Sequence, residues 1–82
     1  MKVSFSERSM KSFRSAPLPV QRAILKQTGL LAENLRHPSL RAKKYDESED
    51  LWQARINKDW RFYFTIEADT CCIQDIIPHP KK

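Results

Sequence analysis

Residues 55–64 read RINKDWRFYF. A polar stretch, Asn57-Lys58-Asp59, separates two arms in which apolar and polar side chains alternate. Alternation of period two marks a half-buried strand, so a β-hairpin is predicted here. On the second arm Trp60, Phe62, Phe64 and Ile66 share one face, and Arg61, Tyr63 and Thr65 share the other. On the first arm Trp52, Ala54 and Ile56 form the apolar face, with Gln53 and Arg55 opposite. A two-residue turn would set Arg55 across from Phe62 and mix the faces. A three-residue turn pairs Ile56 with Trp60, Arg55 with Arg61, Ala54 with Phe62 and Trp52 with Phe64. Only that parity keeps the apolar set together. In place of a glycine, Asn57 or Asp59 is expected to take the left-handed conformation.

This register sets Arg55 directly opposite Arg61 on the exposed face. Like charges so placed destabilise a sheet by up to about 1 kcal/mol. Two guanidinium forks side by side also form a ready site for a phosphate or a carboxylate. The alternative is that the side chains splay into water, or that one pairs with Asp59, Asp75 or the acidic loop at 46–50. Arg41, Lys43 and Lys44 lie just upstream, and one of the two adjacent lysines points outward in either register. Near the other end His79 stands between Pro78 and Pro80, which restrict its backbone, and imidazole titrates near neutral pH.

Working outward, residues 2–6 alternate as a short strand, and Ser6 can cap a helix whose inner stripe is Ser9, Met10 and Phe13. Ser15-Ala16-Pro17-Leu18-Pro19 breaks that helix, and a second is predicted over 19–35, with Val20, Ile24, Leu31 and Leu35 on one face. Gly29 inside it costs about 1 kcal/mol relative to alanine. Pro38 stops the helix. Strands follow over 40–45, 51–56, 60–66 and 71–77, the last pair joined by a turn at 67–70. The order β-α-α-β-β-β-β gives an α+β fold, a single domain over 1–82 in which two N-terminal helices pack on one face of a twisted antiparallel sheet. Asp75 conflicts with this scheme, because its parity places it with Cys71, Ile73 and Ile77 on the core face. Either it meets a basic side chain at the sheet edge or a bulge shifts the register.

Composition narrows the function. Fifteen Lys and Arg against ten Asp and Glu give a net charge of +5, which favours a polyanionic partner, nucleic acid ahead of anionic lipid. Six basic and two acidic groups in residues 1–35 give that part +4, so in the remainder position matters more than count. Cys71 and Cys72 are adjacent and form no metal-binding spacing, so both are expected to be reduced packing residues of a cytoplasmic protein. A single glycine excludes a glycine-rich phosphate loop. No apolar run approaches the ~18 residues of a membrane span, and no signal peptide is visible. Neither metal nor cofactor is expected.

The stretch NLRHPSLRAKKYDESEDLWQARINKDWRFYF, followed by IIPHPK and preceded by the LPVQRAILKQ helix, resembles the RelE/ParE toxin superfamily of bacterial toxin–antitoxin systems. The resemblance covers nearly the whole chain and implies the same fold. It also implies a metal-independent endoribonuclease that cuts messenger RNA in the ribosomal A site and is neutralised by a cognate antitoxin. A ParE-like poison of DNA gyrase, or a non-catalytic antitoxin- or RNA-binding member, is the alternative. On the resemblance, Arg61 matches the superfamily's recurrent catalytic arginine after the hairpin aromatic. Arg55 matches a basic residue on the partner strand, and His79 a C-terminal proton donor or acceptor. Arg41, Lys43, Lys44, Lys58 and Lys81 are the expected RNA contacts. Two departures stand out. Pro80 follows the histidine where many members have a tyrosine, and no glutamate precedes the basic strand. Tyr63 shares the arginine face, but a phenol with a pKa near ~10 is a poor base.

Overall fold

Ser6 converts the first strand into the first helix. Its hydroxyl accepts the Ser9 amide at 3.0 Å, satisfying one of the N–H groups that a helix start leaves without a partner. The computed structural model describes residues 1–78. In it β1 (Lys2–Phe5) leads into α1 (Glu7–Ser15) and then α2 (Leu18–Glu33). Pro17 and Pro19 flank the start of α2, where a missing N–H does no harm. Gln21 joins the helices, its amide donating to the carbonyls of Phe13 and Ala16 at 2.9 and 3.2 Å. A single 3₁₀ turn, Pro38–Leu40, precedes β2 (Lys43–Asp46), β3 (Leu51–Arg55), β4 (Trp60–Glu67) and β5 (Thr70–Pro78). The sheet order is β1-β5-β4-β3-β2.

The hairpin has the predicted register: Trp52 faces Phe64, Ala54 faces Phe62, and Arg55 faces Arg61. Its turn closes differently from expectation. Positive φ among the non-glycine residues occurs at Arg41, Asp50 and Ala68, not at Asn57 or Asp59. Instead the Asn57 side-chain oxygen accepts the amides of Asp59 and Trp60 at 2.8 and 2.9 Å. Such an Asx bracket mimics a backbone turn and removes the need for a left-handed residue.

Two further features depart from the sequence reading, and a third settles a point it left open. First, the sheet is mixed, because β1 lies parallel to β5, with Val3 opposite Cys71 and Phe5 opposite Ile73. Alternation fixes which face a residue occupies but reads the same in both directions, so it could not give the direction of so short a strand. Second, the strand expected from residue 40 starts at Lys43. Leu40 belongs to the 3₁₀ turn and is fully buried, and Arg41 caps that turn at φ 48°. Third, the register slips between the pairs Tyr63–Asp75 and Phe64–Ile73, leaving Gln74 as an extra residue. The bulge resolves the Asp75 conflict. It moves the carboxylate off the apolar face and puts Ile76, 2% exposed, in its place.

The helices cover one face of the sheet, and between them lie Ile24, Leu31, Leu40, Phe62, Phe64 and Ile73, all fully buried. Phe62 and Phe64 are 5.6 Å apart, and Trp52 stacks on Phe64 at 6.1 Å. Two polar residues of α2, Gln27 and Thr28, are also buried, and Gln27 makes the longer-range bonds. The Gln27 amide donates to the carbonyl of Arg55 at 2.7 Å and of Ser39 at 3.1 Å. Ser39 donates back to the Gln27 oxygen at 3.4 Å. Gln27 thereby ties together the two segments that carry Arg41 and Arg55.

Truncating Phe62 to alanine should lower the unfolding free energy by about 3–5 kcal/mol in a urea titration. Gln27→Met keeps the volume but leaves two carbonyls without their donor. It should cost about 1–3 kcal/mol in the same titration, and unchanged stability would contradict the tether.

Candidate functional site

The face of the sheet away from the helices carries the odd-numbered side chains of β3 and β4. Strand alternation brings Gln53 and Arg55 beside Tyr63 and Arg61 there. Lys43 joins them from β2, where it pairs with Gln53, and Arg41 enters from the capping position of the 3₁₀ turn. Arg41, Lys43, Gln53, Arg55 and Arg61 together line a cleft of about 240 Å³. Four cations thus surround one neutral amide.

Arg61 is held most firmly. Its Nη1 donates to the carbonyls of Asn57 and Trp60 at 2.6 and 2.9 Å. The turn that sets the register therefore also fixes the guanidinium, leaving Nε and Nη2 to meet a ligand. Burial, and then the charges of Arg55 and Arg41, pull the Arg61 pKa below its ordinary value, with Tyr63 and Asp59 acting the other way. A guanidinium crowded by like charge and partly desolvated binds an oxyanion more strongly than one free in water. Asp75 meets Arg8 at 3.9 Å, and Glu47 and Asp50 meet Lys44.

Of the expected site residues, the structure brings Arg41, Lys43, Arg55 and Arg61 into one cleft. Lys44 is a correction. It pairs with Trp52, so it projects to the opposite side of the sheet from Lys43. Its ammonium lies 5.5 Å from the Trp52 ring centre, and Asp50 and Glu47 raise its pKa. Two carboxylates of the acidic loop, Glu47 and Asp50, are thus engaged by Lys44. Lys58 is exposed at the tip of the hairpin turn and does not line the cleft. His79 and Lys81 lie outside the described residues. The described chain ends at Pro78, paired with Trp60, next to the Arg61–Ile77 pair.

Sequence reasoning passed over two residues here. Gln53 was placed on the open face by parity but given no role; it lines the cleft and donates to the Tyr63 hydroxyl at 3.0 Å. Gln27 was visible as a polar residue between Ile24 and Leu31 on an inward stripe, and that position was the available signal of a buried tether. The cysteines are free; Cys71 is buried, and burial pushes its thiol pKa up. Among the described residues no helix is long and apolar enough to cross a membrane, and no cluster of His, Cys, Asp or Glu could hold a metal ion.

No protein-family model matches the chain, and neither does any curated protein sequence. Solved structures do match. The archaeal RelE–RelB complex from Pyrococcus horikoshii contains a chain 21% identical to this one, with a TM-score of 0.77 over 94% of this chain and 92% of that one. A YoeB/ParE toxin from Agrobacterium tumefaciens superposes with a TM-score of 0.80 at 12% identity, covering 98% of this chain and 100% of that one. The isolated RelE toxin of E. coli gives 0.77 at 14% identity, over 99% of this chain and 86% of that one. At such identities the likeness is one of backbone path, and it establishes that this chain has the RelE-like toxin fold.

Proposed function

We propose that this protein is the toxin of a toxin–antitoxin pair and that it cuts messenger RNA on the ribosome. The observation that carries this reading is the directly paired Arg55 and Arg61, set with Arg41 and Lys43 around one cleft. The reaction is attack of a 2′-hydroxyl on the adjacent phosphate. It needs a base for the hydroxyl proton, an acid for the leaving 5′ oxygen, and fixed cations around a phosphate that gains charge. Arg55 and Arg61 flank that phosphate, and the neighbouring backbone lies along Arg41 and Lys43. His79 is assigned the proton transfer, on its place in the sequence. No metal is assigned, because the guanidinium groups supply the positive charge.

Structural neighbours support a partner as well. RelE of Methanococcus jannaschii was solved with RelB, and YoeB of Staphylococcus aureus with YefM, each as a toxin–antitoxin complex. A cognate antitoxin is accordingly proposed for this chain. Segments of that kind commonly order on binding and wrap their target.

A gyrase-poisoning role draws on one observation: the amide at the centre of the cleft, Gln53, is bonded to Tyr63, and neither is a strong base. Brief expression in bacteria separates the two readings. Codon-phased new 5′ ends in messenger RNA, with normal supercoiling, are the expected result. Gyrase-linked double-strand breaks with intact transcripts would overturn it. Arg61→Ala should abolish growth arrest and slow cleavage by about 10²–10³-fold, the effect of removing one preorganised donor. Its circular dichroism should be unchanged, because the side chain serves the open face; an unfolded variant would contradict that placement. His79→Ala should reduce cleavage more than RNA affinity, and equal losses would remove it from proton transfer.

A further inference from the structure

The open face holds a second, larger hollow of about 510 Å³ that the proposed cleavage does not use. Tyr45, Tyr63, Leu51 and Ile77 give it apolar and aromatic walls, and Glu49 and Asp75 supply carboxylates. The Tyr45 ring meets Tyr63 edge-on at 4.9 Å, yet the residue remains 60% exposed. An aromatic ring that is steadied by a neighbour but still open to solvent is a stacking platform. Tyr63 is fixed in turn, since its hydroxyl accepts from Gln53 at 3.0 Å. Gln53 lines the arginine cleft and Tyr63 lines the hollow, so one hydrogen bond joins the two walls.

The spacing follows from the strands. Tyr63 is two residues beyond Arg61 on β4, and Tyr45 is two beyond Lys43 on β2. Two residues cover roughly 6.6 Å along regular β4, a distance that a single nucleotide bridges; on β2 the register shifts between Lys44 and Asp46, leaving Tyr45 as the extra residue, and its ring meets Tyr63. The charge differs between the two hollows. Two carboxylates disfavour a second phosphate, but they accept well from the amino groups of a neutral base. Arg8, 3.9 Å from Asp75, moderates their field toward the incoming polyanion.

We propose that this hollow receives an unpaired nucleobase, stacked on Tyr45, from the nucleotide next to the phosphate held by Arg55 and Arg61. The inference rests on reading the cleft as an RNA phosphate site. It adds that the protein itself grips a base there, independently of any pairing the RNA makes.

Fluorescence anisotropy tests it with two labelled probes, a single-stranded RNA pentamer and the same pentamer with every base removed. The protein should prefer the base-bearing RNA by about 5- to 100-fold, the value of stacking one base. Tyr45→Ala should remove most of that preference while leaving affinity for the abasic backbone unchanged, and Tyr45→Phe should restore it. Arg61→Ala should weaken both probes. If the unmodified protein binds both probes equally, or if Tyr45→Ala weakens both alike, the base site is overturned while the phosphate cleft stands. If Arg61→Ala changes neither affinity, both assignments fall together. Tyr45 is mostly solvent-exposed, so its truncation should spare the fold.

Discussion

Two arginines are forced to face each other because two phenylalanines must be buried. Phe62 and Phe64 are fully buried and sit on the same side of β4, so Arg61, immediately before Phe62, must point the other way. Burying one such ring stabilises by about 1.5–3 kcal/mol, whereas the opposed arginines cost at most about 1 kcal/mol. A one-residue slip of the hairpin would ease the repulsion and expose both rings. Hydrophobic burial therefore wins, and the electrostatic arrangement follows from it. Asn57 completes the logic. Its side chain closes a turn of the required length without glycine, and its backbone carbonyl then anchors Arg61.

Several of the remaining charges are engaged away from the arginine pair. Lys44 projects away from Lys43 and engages Asp50 and Glu47. Asp75 is lifted from the core by the bulge at Gln74 and meets Arg8 rather than the cleft. Gln27, buried beneath, fixes the end of β3 and the 3₁₀ turn relative to each other, so Arg41 and Arg55 enter the cleft from segments that cannot drift independently. The result is a graded face: cationic where β3 and β4 meet at the turn, aromatic and partly acidic further along. A single strand of RNA, with phosphates and bases in alternation, has matching chemistry.

Much of this was legible in the sequence. The hairpin register followed from parity, because a strand buried on one face permits a single pairing that keeps Trp52, Ala54, Phe62 and Phe64 together. The helical pair and the order of elements followed from a change of period. What could not be read were features decided by contacts distant in sequence. The parallel seating of β1 depends on Ser6, whose amide reaches the Ile73 carbonyl at 2.9 Å. The bulge at Gln74 was one of two alternatives that sequence alone left open. The inward turn of Lys44 depends on where β2 begins, and that is set by the 3₁₀ turn capped when the Ser39 amide donates to His37 Nδ1 at 3.2 Å. The aromatic hollow was not visible either, because Tyr45 and Tyr63 meet only once β2, β3 and β4 are aligned.

A double-mutant cycle on Arg55 and Arg61, read as affinity for a short single-stranded RNA at fixed ionic strength, tests the central claim most directly. If both guanidinium groups hold one phosphate, the two alanine substitutions must be strongly non-additive, with a coupling of at least about 1 kcal/mol. Losses that add to within about 0.5 kcal/mol would mean that the arginines act on separate groups, and the shared phosphate site would be wrong.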